Sequence, residues 1–268
     1  MRILKIISLF LFLEVLVFLP HLFIFSINKN MFRSMAFVHL LLLIGVIFFD
    51  KFILLIFKIR ECLNPSIINI FENHAGRLGV ENVSLFVTKK YFANVYTFQG
   101  IGGRKNIIVG QKIIDDLSFR EQEALIVLAL KTISSKRSFF LTVMTALMFF
   151  TTAPMLLGVK CFKYPPLKRI RGVGYVFYSV VLLINQMLCR ERKDVLRIDR
   201  ESVAFLEDRS FLSAALYRVA QMLEKKRYNV RQIIVKNFEL IEKEDSLTQE
   251  IFNVGIKLDE RCKNLEAV

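Results

Sequence analysis

Hydrophobic positions along this chain fall into four long runs separated by two polar regions. The first run is ILKIISLFLFLEVLVFLPHLFIFSI, Ile3 to Ile27, and the second is MAFVHLLLLIGVIFFDKFILLIF, Met35 to Phe57. The third is FFLTVMTALMFFTTAPMLLGV, Phe139 to Val159, and the fourth is VGYVFYSVVLLINQML, Val173 to Leu188. A membrane-crossing helix needs about 20 mainly apolar residues. The first and third runs meet that length, the second is interrupted by Asp50 and Lys51, and the fourth is short. The alternative for the second and fourth is a buried core hairpin, because a short apolar run has the same pattern in a core helix. The first run exceeds the apolar length of a secretory signal and has no small-residue cleavage site after it, so it reads as one arm of a membrane hairpin.

The polar regions carry different periods. PSIINIFENHAGRLGV reads as a helix with Ile67, Ile70, Phe71 and Leu78 on its apolar side and Gly79 at its end. VSLFVTKK and NVYTF alternate as strands, QGIGGR is a turn, and NIIVGQKII returns as a strand. The turn lacks the Lys-Ser/Thr ending of a phosphate loop, so it reads as a hairpin. Ser118-Phe-Arg-Glu121 is a capping box that opens a helix running through Ile133. That helix is apolar on nearly every face, which implies burial. Asp115 and Asp116 before it read as a turn. From Cys189 onward the chain is charged and helical, and Glu201 and Glu207 read as a solvated face.

The expected fold is therefore α+β: a mainly helical membrane protein with about four transmembrane helices and a small domain carrying a short β-sheet. Its parts are a transmembrane hairpin over 1–57, a polar domain over 58–138 with a buried helix at 118–133, a second hairpin over 139–188, and a helical C-terminal part over 189–268.

Composition supports this picture. Of 268 residues, 54% are hydrophobic and 26 are Phe, an apolar excess over ordinary soluble domains. The net charge of +14 fits anionic lipid and a positive-inside bias better than nucleic acid. Arg2 and Lys5, then Lys58 and Arg60, then Arg190 to Arg200 flank the runs and put the N-terminus and both polar regions on one side, the cytoplasmic face of an inner membrane. The loop holding Lys160, Lys163, Lys168, Arg169 and Arg171 is more positive than an outside loop should be. Cys62, Cys161, Cys189 and Cys262 are scattered without a CxxC pair, which excludes a zinc framework and a disulfide scaffold and fits a reducing compartment.

The order of these parts resembles the HtpX-type family of integral-membrane zinc metalloproteases. Asn94-Val-Tyr-Thr resembles that family's Asn-Ala-Phe-Ala strand, and Val109-Gly-Gln-Lys-Ile-Ile its Thr-Gly-Leu-Leu segment. Leu117-Ser-Phe-Arg-Glu121 resembles the Leu-Ser-x-x-Glu entry to its active-site helix, and Ile198-Asp199-Arg200 its Ala-Asp-Arg segment. Ile251 to Arg261 resembles Leu-Phe-Ser-Thr-His-Pro-Pro-Leu-Glu-Glu-Arg. The resemblance spans almost the whole chain and implies a zincin-like polar domain.

The departures fall on the chemistry. Such enzymes bind zinc through HExxH, two His one helical turn apart with Glu as general base. Here the first His position is Leu128, the Glu is Ala129, the second His is Thr132, and the third ligand is Val195. The Thr-His-Pro-Pro element falls on Val254, Gly255, Ile256 and Lys257. His21, His39 and His74 are the only histidines, and none builds a HExxH. Zinc, the family's cofactor, has no ligands here, and no other cofactor is expected. Ser134, Ser135 and Lys136 read as a polar helix exit, not a Ser-Lys dyad.

The resemblance thus implies a catalytically inactive pseudoprotease, a noncatalytic peptide binder or regulator in membrane-protein quality control. Its expected partners are the lipid bilayer and membrane-protein segments or an active relative. The peptide-binding strand is Asn94, Val95, Tyr96 and Thr97, since β-addition needs only backbone groups. The alternatives are a metalloendopeptidase acting through an unrecognised site and a membrane scaffold or sensor.

Overall fold

A computed structural model describes residues 37, 40, 43–89, 93–147, 149, 192–224, 240–241 and 258–267. The chain divides into two compact units. One comprises Met1–Phe49 with Val143–Cys189, and the other Asp50–Thr142 with Arg190–Val268. In the first, the described residues are helical at 43–47 and 143–147, and the Phe49 and Phe149 rings lie 5.9 Å apart.

The second unit is built on a four-stranded sheet. Helix α1 (Phe49–Phe57) leads to the two-residue strand β1 (Arg60–Glu61), and then α2 (Pro65–Arg77) begins. Asn64 starts α2 because its Oδ1 accepts the amides of Ser66 at 3.0 Å and Ile67 at 3.4 Å, and Pro65 follows where no amide is needed. Gly79, at φ +61°, ends it, as the sequence pattern anticipates. Strands β2 (Val83–Thr88), β3 (Val95–Gln99) and β4 (Lys105–Gly110) follow. The sheet order is β1-β2-β4-β3, with β2 and β4 parallel and β3 antiparallel to β4. The β3–β4 link is the expected glycine turn, closed by the Gly100 amide on Arg104 O at 2.9 Å with Gly103 at φ +79°. Among the described residues β3 is thus an edge strand, although Val95 to Phe98 are all buried.

NIIVGQKII does not continue as a strand. Pairing stops at Gly110, and α3 (Gln111–Asp116) turns away, supported by Gln111 and Lys112 reaching Asp115 and Asp116 one turn on. Asp115 and Asp116 therefore lie in a helix, not in a turn. Helix α4 (Phe119–Ser134) then runs through the middle of the unit. The return half of its capping box is present: Glu121 Oε2 accepts the Ser118 amide at 2.8 Å and its hydroxyl at 2.6 Å. Helices α5 (Arg192–Val203), α6 (Ser210–Glu224) and α7 (Leu258–Glu266) complete the described part. α4 packs against α2, α5, α6 and β3, so its all-round apolarity is matched by neighbours on every side. The C-terminal run is broken at 204–208, where Asp208 Oδ1 accepts the Ser210 amide at 2.8 Å and starts α6 afresh.

The expected class, with about four transmembrane helices, is corrected. Among the described residues no helix is long and apolar enough to cross a membrane. What is described is a mixed helix-and-strand architecture with one small sheet. The second apolar run shows the physical reason. Its helix is interrupted at Phe48, just before the Asp50-Lys51 pair, and its second half belongs to the sheet unit. There Ile53 and Phe57 are buried, the Phe57 ring meets Tyr96 edge-on at 4.7 Å, and Phe57 O accepts the Thr88 hydroxyl at 2.6 Å. This half is the core segment that its length also allowed. The first and fourth runs, and most of the third, lie outside the described residues.

Two clasps fix α5 to α7. Arg261 grips Asp199 through both carboxylate oxygens, at 2.8 and 2.6 Å, with both side chains buried. Arg200 Nε reaches Asn264 Oδ1 at 2.6 Å, and Asn264 Nδ2 donates to Leu196 O at 3.0 Å. Removing one partner of a buried ion pair strands the other charge, at a cost of about 3–5 kcal/mol. Arg261→Met is expected to lower stability by that amount in urea unfolding, while Lys263→Met, at an exposed position of the same helix, changes it by less than about 0.5 kcal/mol.

Candidate functional site

The positions aligned with HExxH lie in the interior of α4. Leu128, Ala129 and Thr132 are all buried, and Leu128 and Ala129 belong to the main hydrophobic cluster. Thr132 is the one oxygen donor of the three, and its hydroxyl is spent on Leu128 O, 2.7 Å away. Val195 is half-buried on α5, which packs against α4. Zinc requires three or four nitrogen, sulfur or oxygen ligands. These residues do not fit it, and no group of three or more His, Cys, Asp or Glu that could hold a metal ion occurs among the described residues. Apolar side chains in this space leave no ligand buried without a partner. Val254 to Lys257 lie outside the described residues, as do His21 and His39.

A titratable cluster missed by the sequence reading sits at the start of α4. His74 of α2 is buried, and its Nε2 lies 2.8 Å from Glu123 Oε1. Arg120 reaches Glu123 at 3.1 Å and Glu207 at 2.7 Å. Burial pushes the Glu123 carboxyl upward, but hydrogen bonds from His74 and Arg120 outweigh it and hold the carboxyl below its ordinary value. Only the Arg120–Glu123 spacing of three was visible in the sequence; the partnership with His74 bridges 49 positions. Nδ1 of His74 is buried without a hydrogen-bond partner. The only side-chain hydrogen bond of this histidine among the described residues is to Glu123, so the pair ties α2 to α4 and presents no activated nucleophile.

The remaining nucleophile candidates are also occupied. The Ser134 hydroxyl donates to Lys131 O at 3.0 Å and that of Ser135 to Thr132 O at 2.8 Å, closing the last turn of α4. Cys62 and Cys262 are free and buried, and burial raises both thiols above their usual pKa, the opposite of an activated cysteine. Cys161 and Cys189 lie outside the described residues. Glu201 pairs with Lys131 at 3.3 Å, and Glu207 with Arg120, so both anticipated surface carboxylates bind back to α4.

The proposed peptide strand has a more specific geometry. Asn94, Val95, Tyr96 and Thr97 are all buried, so none of their side chains forms an open surface. Asn94 O accepts the Gly110 amide, which turns even-numbered residues toward β4 and leaves the backbone groups of Val95, Thr97 and Gln99 on the outer side. Two of these positions have partners there. Val95 O accepts the Leu240 amide at 3.0 Å, and the Gln99 amide donates to the Thr142 hydroxyl at 3.1 Å. Asn94 Nδ2 donates to Ile241 O at 2.6 Å while its Oδ1 accepts the Val95 amide at 2.8 Å.

No protein-family model matches this chain, and no curated protein matches it in sequence.

A carboxylate placed at the centre of α4 tests the packing. Ala129→Glu places an unpaired charge in the core, costing several kcal/mol, and the cooperative thermal transition is expected to be lost. Thr132→Val removes one local hydrogen bond and is expected to change stability by about 1 kcal/mol or less. Glu123→Gln is expected to destabilise by about 1–3 kcal/mol at neutral pH. Because the folded-state pKa of Glu123 is depressed, its contribution is present above the unfolded carboxylate value. It is lost as pH falls through the folded one, so the gap between variant and parent in urea midpoint narrows in acid.

Proposed function

We propose that this chain is a catalytically inactive relative of the HtpX-type metalloproteases, which binds an extended segment of another protein and does not cleave it. The observation that carries the reading is the outer side of β3. The strand packs against the helix that carries Leu128, Ala129 and Thr132, and on its outer side Val95 O accepts a single backbone amide, that of Leu240. Outward backbone groups of an edge strand are what an extended peptide pairs with when it adds to a sheet, and such pairing requires no metal and no base. Further support comes from the two resemblance segments Ile198-Asp199-Arg200 and Leu258 to Arg261, which meet through the Asp199–Arg261 pair.

Metal analysis and a cleavage assay test the absence of chemistry. The purified full chain is expected to carry far less than one zinc per molecule and to leave unfolded casein intact, with or without a chelator. It is also expected to retain casein in an equilibrium binding assay. Stoichiometric zinc with chelator-sensitive cleavage would establish a working peptidase and overturn the proposal, and failure to bind casein would overturn its second half.

A further inference from the structure

We propose that Asp50 and Asn106 hold a monovalent cation between α1 and the turn end of the β3–β4 pair. The site is independent of the peptide-binding reading and lies on the opposite face of the sheet from α4.

One face of α1 lies on the sheet. Asp50, Ile53 and Phe57 share that face by helical spacing, and all three are buried. Ile53 and Phe57 suit an apolar contact, and Phe57 meets Tyr96 there. Asp50 does not suit it. The residue is 7% exposed, and among the described residues its carboxylate makes no hydrogen bond and no ion pair. A carboxylate removed from water calls for a compensating charge beside it. Arg104, across the turn from Gly100, is exposed and makes no ion pair with it.

The sheet is shaped to receive this carboxylate. A Cβ on Gly100 would lie 2.6 Å from Asp50 Oδ2 and 2.8 Å from its Cγ, so only a glycine lets the carboxylate come this close. Gly100 shares its side of the sheet with Phe98, and Phe98 pairs with Asn106. Asn106 therefore stands on the Asp50 side, diagonally from Gly100. Such diagonal positions are about 7 Å apart, within the joint reach of two side chains. Asn106 is buried, its Nδ2 has no hydrogen-bond partner, and among the described residues no bond holds the other end of the amide. The amide is thus free to turn and present its oxygen to the same point. A carboxylate and an amide oxygen are hard donors, suited to hard cations. One carboxylate balances one positive charge, whereas a divalent ion would leave a net charge beside the buried Phe98 ring. The exposed turn at 101–103 lets water complete the shell.

The test follows thermal unfolding of the full chain in lithium, sodium, potassium and choline chloride at one ionic strength, so that screening is the same throughout. At least one alkali ion is expected to raise the parent's transition by about 2–4 °C over choline. Asp50→Asn keeps the shape, removes the charge and is expected to abolish that difference. Asn106→Leu removes the amide and is expected to weaken ion affinity about tenfold, and it remains informative if Asp50→Asn does not fold. Sodium NMR linewidths read binding directly: the parent should broaden the line, the preferred ion should reverse this, and the variants should broaden it less. A parent with the same transition in all four salts and no line broadening overturns the inference. So does an ion effect that persists undiminished in the folded variants. Arg104→Gln should leave the ion effect intact; if it destabilises as much as Asp50→Asn in every salt, Arg104 is the countercharge and the inference fails.

Discussion

The buried pair of Asp199 and Arg261 is the contact on which the described C-terminal part depends. Each residue alone is a charge in a nearly water-free place; together they neutralise one another with two short, parallel hydrogen bonds. A bidentate carboxylate fixes the plane of the guanidinium, and the nitrogen left over then has one direction in which to point. That direction is Leu240 O. One ion pair thereby joins α5, α7 and the 240–241 segment, and through that segment reaches β3. Arginine suits this position better than lysine, because a point charge cannot hold three acceptors in one plane.

The interior of α4 follows a different logic. Its neighbours α2, α5, α6 and β3 surround it, so every residue from Ala124 to Leu130 is removed from water. A metal site in such a place would need its ligands to bind the ion or one another. Leu128 and Ala129 need nothing, and Thr132 satisfies itself on its own helix. Charge is confined to the rims, where Glu121 meets Arg218 at one end and Lys131 meets Glu201 near the other. The helix is consistent from propensity to packing, with no polar group left to explain by function.

Local chemistry was legible in the sequence, and long-range pairing was not. The helix opening at Pro65, the Gly79 stop, the glycine turn and the Ser118–Glu121 box each depend on residues a few positions apart, and each appears where its pattern places it. The strand expected through Ile114 failed because periodicity cannot see that Gly110 ends the pairing and that side chains one turn apart favour a helix after it. The second apolar run failed for a similar reason: hydrophobicity reports burial but not what does the burying, and Phe57 is covered by Tyr96 and the sheet. At the site, Asp199 and Arg261 were each conspicuous as resemblance positions, yet nothing in the sequence pairs residues 62 apart. The same distance problem hid His74 from Glu123 and Asn94 from Ile241.

Sheet edges are a hazard to the proteins that carry them, since an open strand is a template for another copy of itself. Both edges of this sheet are blunted. β1 offers only two residues, too short a ladder to recruit a neighbour. β3 is longer and rich in residues that favour β-structure, and it would be the dangerous edge. Its first outward rung is closed by one asparagine amide and a dipeptide of the same chain. Asn94 therefore acts as a terminator as well as a relay: it ends the sheet in a side chain, which cannot propagate a ladder. The closure of that rung against a further strand rests on that single amide.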